Sequence, residues 1–403
     1  MRHIILSLSI LGLAACSSGD KTEVPEDTRP LHERILTLDT HIDIPLNYMT
    51  EIDPQFMTDL QVDLPKLGAG HLDSGFWIIY TPQGEMTEAG YNAGRKIAET
   101  RLRAIQRFVS KYPDRVQQAL TAADVRGIVA DGKHAVLMGM ENAYPLGAST
   151  GNVETWAARG VRYMGITHFG HNQFGDSSNL NFQRDKGPRH NGLSQLGKEL
   201  VVALNRAGIM VDVSHAGKAT MMQAADLSRT PIIASHSGVK AVADSARNLD
   251  DEQLRKIAEV GGVAQMVALG AYVKAPTAEQ KEFEAEIEAK YNIKTRADAE
   301  KLSEDDKAAL EVDRAALRAM EPPANVSDFF DHIDHAVKIA GIDHVGIASD
   351  FDGGGGIIGW KDASETANIT EELIKRGYSE EDIAKIWGGN LLRVMEAVER
   401  GAR

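Results

Sequence analysis

Residues 208–238, GIMVDVSHAGKATMMQAADLSRTPIIASHSG, contain two apolar runs, 209–213 and 231–234, that end in Ser214-His215 and Ser235-His236. A segment of helical composition separates them, so the stretch reads as strand, helix, strand with a histidine at each strand exit. A right-handed crossover makes the strands parallel and brings His215 and His236 to one sheet edge, close enough to share a metal ion. One such Ser-His reads as a capped strand end; two on adjacent parallel strands favour a shared ligand.

Working outward, apolar strands alternate with amphipathic segments from Ile35 onward. Eight candidates are found at 35–44, 75–80, 135–141, 162–168, 209–215, 231–236, 262–268 and 344–350. Eight β/α units predict an α/β chain folded as a (β/α)8 TIM-type barrel, with its active site at the carboxyl ends of the strands. Those ends carry His41 and Asp43, then Glu141, His168, His215, His236 and Asp350. The predicted product is a ring of imidazoles and carboxylates around one mouth.

Each member has a chemical reading. His41-Ile42-Asp43 puts an imidazole and a carboxylate on one face of an extended strand, because side chains alternate. Glu141 is the natural bridge, giving one oxygen to a His41/Asp43 site and the other to a His215/His236 site. Zinc is the first choice for such ligands, with manganese and cobalt open. Two metals about 3.5–4 Å apart acidify a bridging water to hydroxide and polarise a carbonyl, the machinery of amide or ester hydrolysis. Asp350 is placed to shuttle the proton to the leaving amine, and His168 to stabilise the oxyanion or orient the substrate. Asp352, followed by four glycines, reads as a turn or supporting residue.

Two regions exceed a minimal barrel. Residues 169–191 are rich in turn formers and long enough to be a loop over the mouth. Residues 275–320, dense in Glu, Lys, Asp and Ala, read as solvated helices inserted between the seventh and eighth strands, ahead of a barrel helix at 325–340.

Composition limits the partners. The 403 residues are 43% apolar and 25% charged with a formal charge of −14, which suits a globular protein and argues against a nucleic-acid surface. Met1-Arg2-His3, a short apolar run and Leu13-Ala14-Ala15-Cys16 resemble a bacterial lipoprotein signal. The expected organisation is a signal peptide at 1–15, lipidation on Cys16, a flexible tether at 16–30 and one catalytic domain at 31–403. Cys16 is the only cysteine, so neither an intramolecular disulfide nor a thiolate metal site is available.

The strand-end motifs, together with GLSQLGKEL at 192–200, ARNLDDE at 246–252, SDFDG at 349–353 and GGNLLRV at 388–394, resemble the membrane dipeptidase (renal dipeptidase-like) family of metallopeptidases. The similarity runs from about Leu31 to about Val398. It implies a barrel with two zinc ions that cleaves dipeptides, tolerating a D-residue at the C-terminal position. It also implies His41 and Asp43 on one zinc, His215 and His236 on the other, Glu141 between them, Asp350 as acid/base, and His168, Arg247 and Tyr272 in contact with substrate. Arg247 would pair with the substrate carboxylate, for which a guanidinium fork is suited. Asn142 stands where the family usually has glycine, a departure that would reshape the loop after the third strand. The resemblance further implies a homodimer, and the leader an outer-membrane, periplasm-facing lipoprotein with no other membrane contact. The alternatives are a hydrolase of β-lactams or other cyclic amides on the same metals, or a lipoprotein that binds peptides without cleaving them.

Overall fold

The computed structural model describes residues 29–180, 185–293, 298–299, 302–320 and 324–402. The expected signal segment, Cys16 and nearly all of the tether lie outside them.

All eight expected strands form, as β1 (Leu38–Ile42), β2 (Ser74–Tyr80), β4 (His134–Glu141), β5 (Val161–Gly165), β6 (Met210–Asp212), β7 (Ile233–Ser237), β8 (Val263–Val267) and β9 (Val345–Ala348). They run parallel in the order β1-β2-β4-β5-β6-β7-β8-β9. Asp350 N donates to His41 O at 3.1 Å and Asp43 N to Phe351 O at 2.8 Å, joining the exits of β9 and β1. The sheet is thus a nearly closed barrel, its first and last strands joined at their exits by backbone hydrogen bonds.

A further strand, β3 (Val116–Gln118), was not expected. It pairs Val116 with His134 and Gln118 with Val136, beside the stretch of β4 that precedes β5, whose pairing starts at Met138. Three residues, two of them glutamine, give no alternating pattern to read.

The floor is apolar. Leu38, Phe76, Leu137, Tyr163, Met210, Ile233 and Val263, from seven strands, pack with Leu391, Val394 and Met395 of the C-terminal helix Asn390–Gly401. GGNLLRV is therefore a docking element that closes the barrel from below. At about 1.5–3 kcal/mol for each large side chain buried, this floor offsets the cost of a polar mouth.

The 275–320 segment contributes the helices Ala278–Tyr291 and Glu304–Ala319. They share a small apolar cluster of Ile287, Ile293 and Leu310, separate from the barrel core. The barrel helix follows at Val326–Ala340, capped by Asn325. Within the long loop after β5, Phe169 lines the mouth, whereas Asp176 turns away. Its backbone oxygen accepts from Gly217 N and Thr220 Oγ1, both at 2.8 Å, fixing that part to the helix Lys218–Leu227.

Candidate metal centre

At the exit of β1, His41 and Asp43 flank Ile42 and share a side, and both are buried. His41 Nε2 lies 3.4 Å from Asp43 Oδ2, 3.7 Å from Glu141 Oε2 and 3.7 Å from Asp350 Oδ1. Its Nδ1 is 2.9 Å from the Tyr163 hydroxyl, which donates its own proton to Thr40 O at 3.1 Å. The tyrosine oxygen must therefore accept from Nδ1–H, and the Nε2 lone pair is turned to the centre.

Glu141, the last residue of β4, reaches both ways. Oε2 faces His41, while Oε1 lies 3.0 Å from His215 Nε2, 3.3 Å from His236 Nε2 and 3.8 Å from His168 Nε2. The Nε2 atoms of His215 and His236 are 2.9 Å apart. His236 Nδ1 meets Ser235 Oγ at 2.8 Å, and that hydroxyl donates to Asp212 Oδ2 at 2.8 Å. Asp212 is fixed by the amides of Ser214 and Ser235. This chain places the imidazole proton on Nδ1 of His236 and leaves Nε2 as a ligand.

The donor set fits metal. Lone-pair nitrogens and carboxylate oxygens converge on one another, and His41 Nε2 is buried without a hydrogen-bond partner. Three ligand groups lie within 4.8 Å: His41/Asp43/Glu141, Glu141/His215/His236 and His41/His236/Asp350. The first two are the sites read from the sequence, with Glu141 in both; the third was not foreseen.

Electrostatics support the same reading. Burial, aided by Arg247 and neighbouring imidazoles, holds His215 and His236 well below the usual range, in the neutral form that binds metal. Burial opposes charge on Glu141, yet His168, His41 and the other imidazoles keep its carboxyl well below the carboxylate range. Burial would lower His41 too, but Glu141 and Asp43 raise it well above the usual range, since the two carboxylates call for a cation beside them, a place that a proton on Nε2 or a metal ion bound to it fills. Asp350 is pushed up to about 8, chiefly by burial and further by Asp43 and Glu141 against the pull of His41.

The strand exits are strained. Asn142, His215 and Asp350 take positive φ values of 74°, 64° and 58°, at about 1–3 kcal/mol each. At Asn142 this explains the departure from glycine: the position demands a left-handed backbone, which asparagine tolerates. Its side chain then donates to Thr81 O and Gln83 Oε1 and accepts from Tyr144 N and Asn172 Nδ2, joining three loops. Asn142→Ala is expected to be less stable than Asn142→Gly by about 1–2 kcal/mol, since both lose the hydrogen bonds and only alanine also strains the backbone. Chemical denaturation of the two variants checks the order. Gly353 has a steric role: a Cβ there would lie 2.3 Å from Asp43 Oδ2 and 2.5 Å from Asp350 Oδ1.

The mouth opens into a cavity of about 420 Å³ lined by the metal-facing groups with Tyr80, Arg101, His168, Phe169, Leu269, Tyr272 and Asp352. His168 belongs to none of the three ligand groups and sits at the rim, its ring 4.8 Å from that of Tyr80. Arg247 is buried behind the Tyr272 ring, 5.6 Å from its centroid. Its two terminal nitrogens donate to Ser237 Oγ at 2.8 Å and His236 O at 2.5 Å, and Nε has no partner. Asp352 accepts from Gln61 N at 2.9 Å, a supporting contact as expected. Tyr163, Asp212, Ser235 and Arg101 were not read as site residues, although VDVSH and IIASHS contain Asp212 and Ser235.

A sequence profile described as Membrane dipeptidase (Peptidase family M19) matches residues 26–403. Dipeptidase tcpJ of Claviceps purpurea is 30% identical over 361 residues, covering 87% of this chain and 73% of that protein. Among solved structures, the probable dipeptidase PvdM of Pseudomonas aeruginosa has a TM-score of 0.84 at 37% identity, covering 92% of this chain and 97% of its own. A Rhodobacter sphaeroides metallopeptidase, liganded with a phosphinate mimic of L-Ala-D-Ala, shares the fold with a TM-score of 0.71 at 24% identity, covering 90% and 99%.

Proposed function

The chain belongs to the membrane dipeptidase family, peptidase family M19, and on that premise we propose that this dipeptidase works with two zinc ions, one on His41 and Asp43, the other on His215 and His236, with Glu141 shared. The observation that carries this reading is the division of Glu141, whose Oε2 faces His41 and whose Oε1 faces His215 and His236. Zinc held there supplies Lewis acidity toward the scissile carbonyl and a nucleophilic water at neutral pH.

The remaining groups position substrate and move protons. Asp350, beside His41 and under the cavity, holds a proton on its carboxyl and delivers it to the leaving nitrogen. His168, at the rim, orients the substrate carbonyl and stabilises its developing negative charge. Arg247 pairs with the free carboxylate, and Tyr272 packs across its guanidinium. A D-residue at the C-terminal position is tolerated on this reading. The protein would be a homodimer, carried on a lipid at Cys16 and facing the periplasm from the outer membrane. Among the described residues no helix is long and apolar enough to cross a membrane.

The test is amino-acid release from a panel of L,L- and L,D-dipeptides by a soluble protein beginning after Cys16. Turnover is expected with zinc, to vanish on chelation and to return when zinc is restored. Turnover of a carbapenem-type β-lactam but of no dipeptide would replace the reading with cyclic amide hydrolysis. Stoichiometric binding without release would leave only a peptide-binding lipoprotein.

A further inference from the structure

Among the charged groups lining the mouth, Asp352 is held by Gln61 and Arg101 has no part in the centre. This residue sits on the helix Glu88–Lys111, outside the barrel, yet its side chain reaches the cavity wall. It is the only lysine or arginine among the described residues that line the cavity. Nε donates to Ile44 O and Nη1 to Tyr80 O, both at 3.0 Å, and the guanidinium lies 5.3 Å from the centroid of the Tyr80 ring. Two of its five N–H donors are thereby used and three remain.

No carboxylate pairs with Arg101 among the described residues. The acidic groups whose fields reach it are Asp43 and Glu141, both assigned to metal. A half-buried guanidinium, pinned by two carbonyls and left without a counter-ion, is poised for an anion. Its position adds a second argument. Arg247 and Tyr272 follow β7 and β8, whereas Ile44 and Tyr80, the anchors of Arg101, stand at the exits of β1 and β2. Arg101 thus lies on one side of the mouth and Arg247, behind Tyr272, on the other, and neither has a carboxylate partner among the described residues. A dipeptide with neutral side chains has one carboxylate, which Arg247 takes; the second cation lacks a partner unless a side chain brings it.

We propose that Arg101 is a specificity residue and that the preferred substrates are dipeptides with an acidic side chain, whose carboxylate is bound by the free N–H groups of Arg101. The proposal rests on the dipeptidase reading and extends it to a substrate class. The rival role is a structural brace, with Arg101 only tying the exits of β1 and β2 together. The two roles separate in kinetics: loss of a brace slows all substrates alike, while loss of an anion subsite slows only the acidic ones.

The experiment compares acidic dipeptides with their amide isosteres, L-Glu-L-Ala against L-Gln-L-Ala and L-Ala-Glu against L-Ala-Gln, the last pair with L or D C-terminal residues. Zinc-loaded wild type and Arg101→Gln are both used, with thermal melting to verify that the variant is folded and Arg101→Lys as a conservative control. In wild type at least one acidic member is expected to exceed its amide in kcat/KM by about 10–100-fold, the range of a charge-assisted pair. In Arg101→Gln the ratio should collapse towards one while the amide substrate is little changed, with partial recovery in Arg101→Lys. No acidic preference in wild type, or an equal loss on both members of a pair, would overturn the proposal. Calorimetric binding of the same peptides separates it from the dipeptidase reading. If nothing is cleaved but the acidic peptide binds more tightly and loses that advantage in Arg101→Gln, the anion subsite stands and the catalytic reading fails. Equal binding of acid and amide would dispose of the subsite.

Discussion

Replacing Glu141 by glutamine is expected to abolish measurable dipeptide turnover and to leave the protein unable to hold its full complement of zinc. The carboxylate lies among four imidazoles, with Nε2 atoms between 3.0 and 3.8 Å from one or other of its oxygens. Glutamine keeps the volume but removes the charge, and one of its two ends becomes an NH2 that cannot ligate. If that end faces His215 and His236, their site loses its carboxylate; if it faces His41, the other site does. Metal at such a centre contributes several kcal/mol of transition-state stabilisation, on the order of 10³-fold in rate at 1.36 kcal/mol per tenfold. Zinc affinity should fall by more than the ~10–100-fold typical of outer-sphere changes. Metal content measured by emission spectroscopy and the zinc-dependent rise in Tm both report the loss without relying on activity. Full metal content with near wild-type turnover would show that Glu141 does not bridge.

Much of this centre was legible because barrel geometry compresses a long-range problem into a local one. Each candidate ligand sits at the end of an apolar run, and parallel strands bring such ends to one edge, so His41, Glu141, His215 and His236 could be grouped before any contact was known. What could not be read depends on side chains crossing between elements. Tyr163 looks like a strand aromatic of the floor, and only the fold sets its hydroxyl against His41. The Ser235–Asp212 link spans neighbouring strands whose register no local pattern gives. Arg101 belongs to an amphipathic helix on which arginines are commonplace, and its direction into the mouth is a tertiary fact. Strand lengths erred for a related reason: β5 and β6 end at Gly165 and Asp212, before His168 and His215. The functional residues leave the ladder, and the positive φ of His215 is incompatible with continuing it.

Asp350→Asn is expected to lower kcat by about 10²–10⁴-fold, the usual worth of a positioned proton carrier, with KM and zinc content retained. Asparagine is nearly isosteric with aspartate and tolerates the left-handed backbone at φ 58°, so the amide bond to His41 O that helps close the barrel should survive. The variant removes the ability to take up and release a proton and little else. Its value lies in separating two roles that the geometry allows. Asp350 Oδ1 is 3.7 Å from His41 Nε2, and the aspartate forms a ligand group with His41 and His236. Were it a metal ligand, the amide would weaken zinc binding as well as turnover, and excess zinc would restore part of the rate. A proton carrier behaves differently: the metal stays, substrate still binds, and no concentration of zinc recovers kcat. Loss of rate at full metal content therefore assigns Asp350 to proton transfer, whereas parallel loss of zinc and rate moves it into the coordination sphere and leaves the leaving-group proton to another residue, with His168 at the rim the first to test.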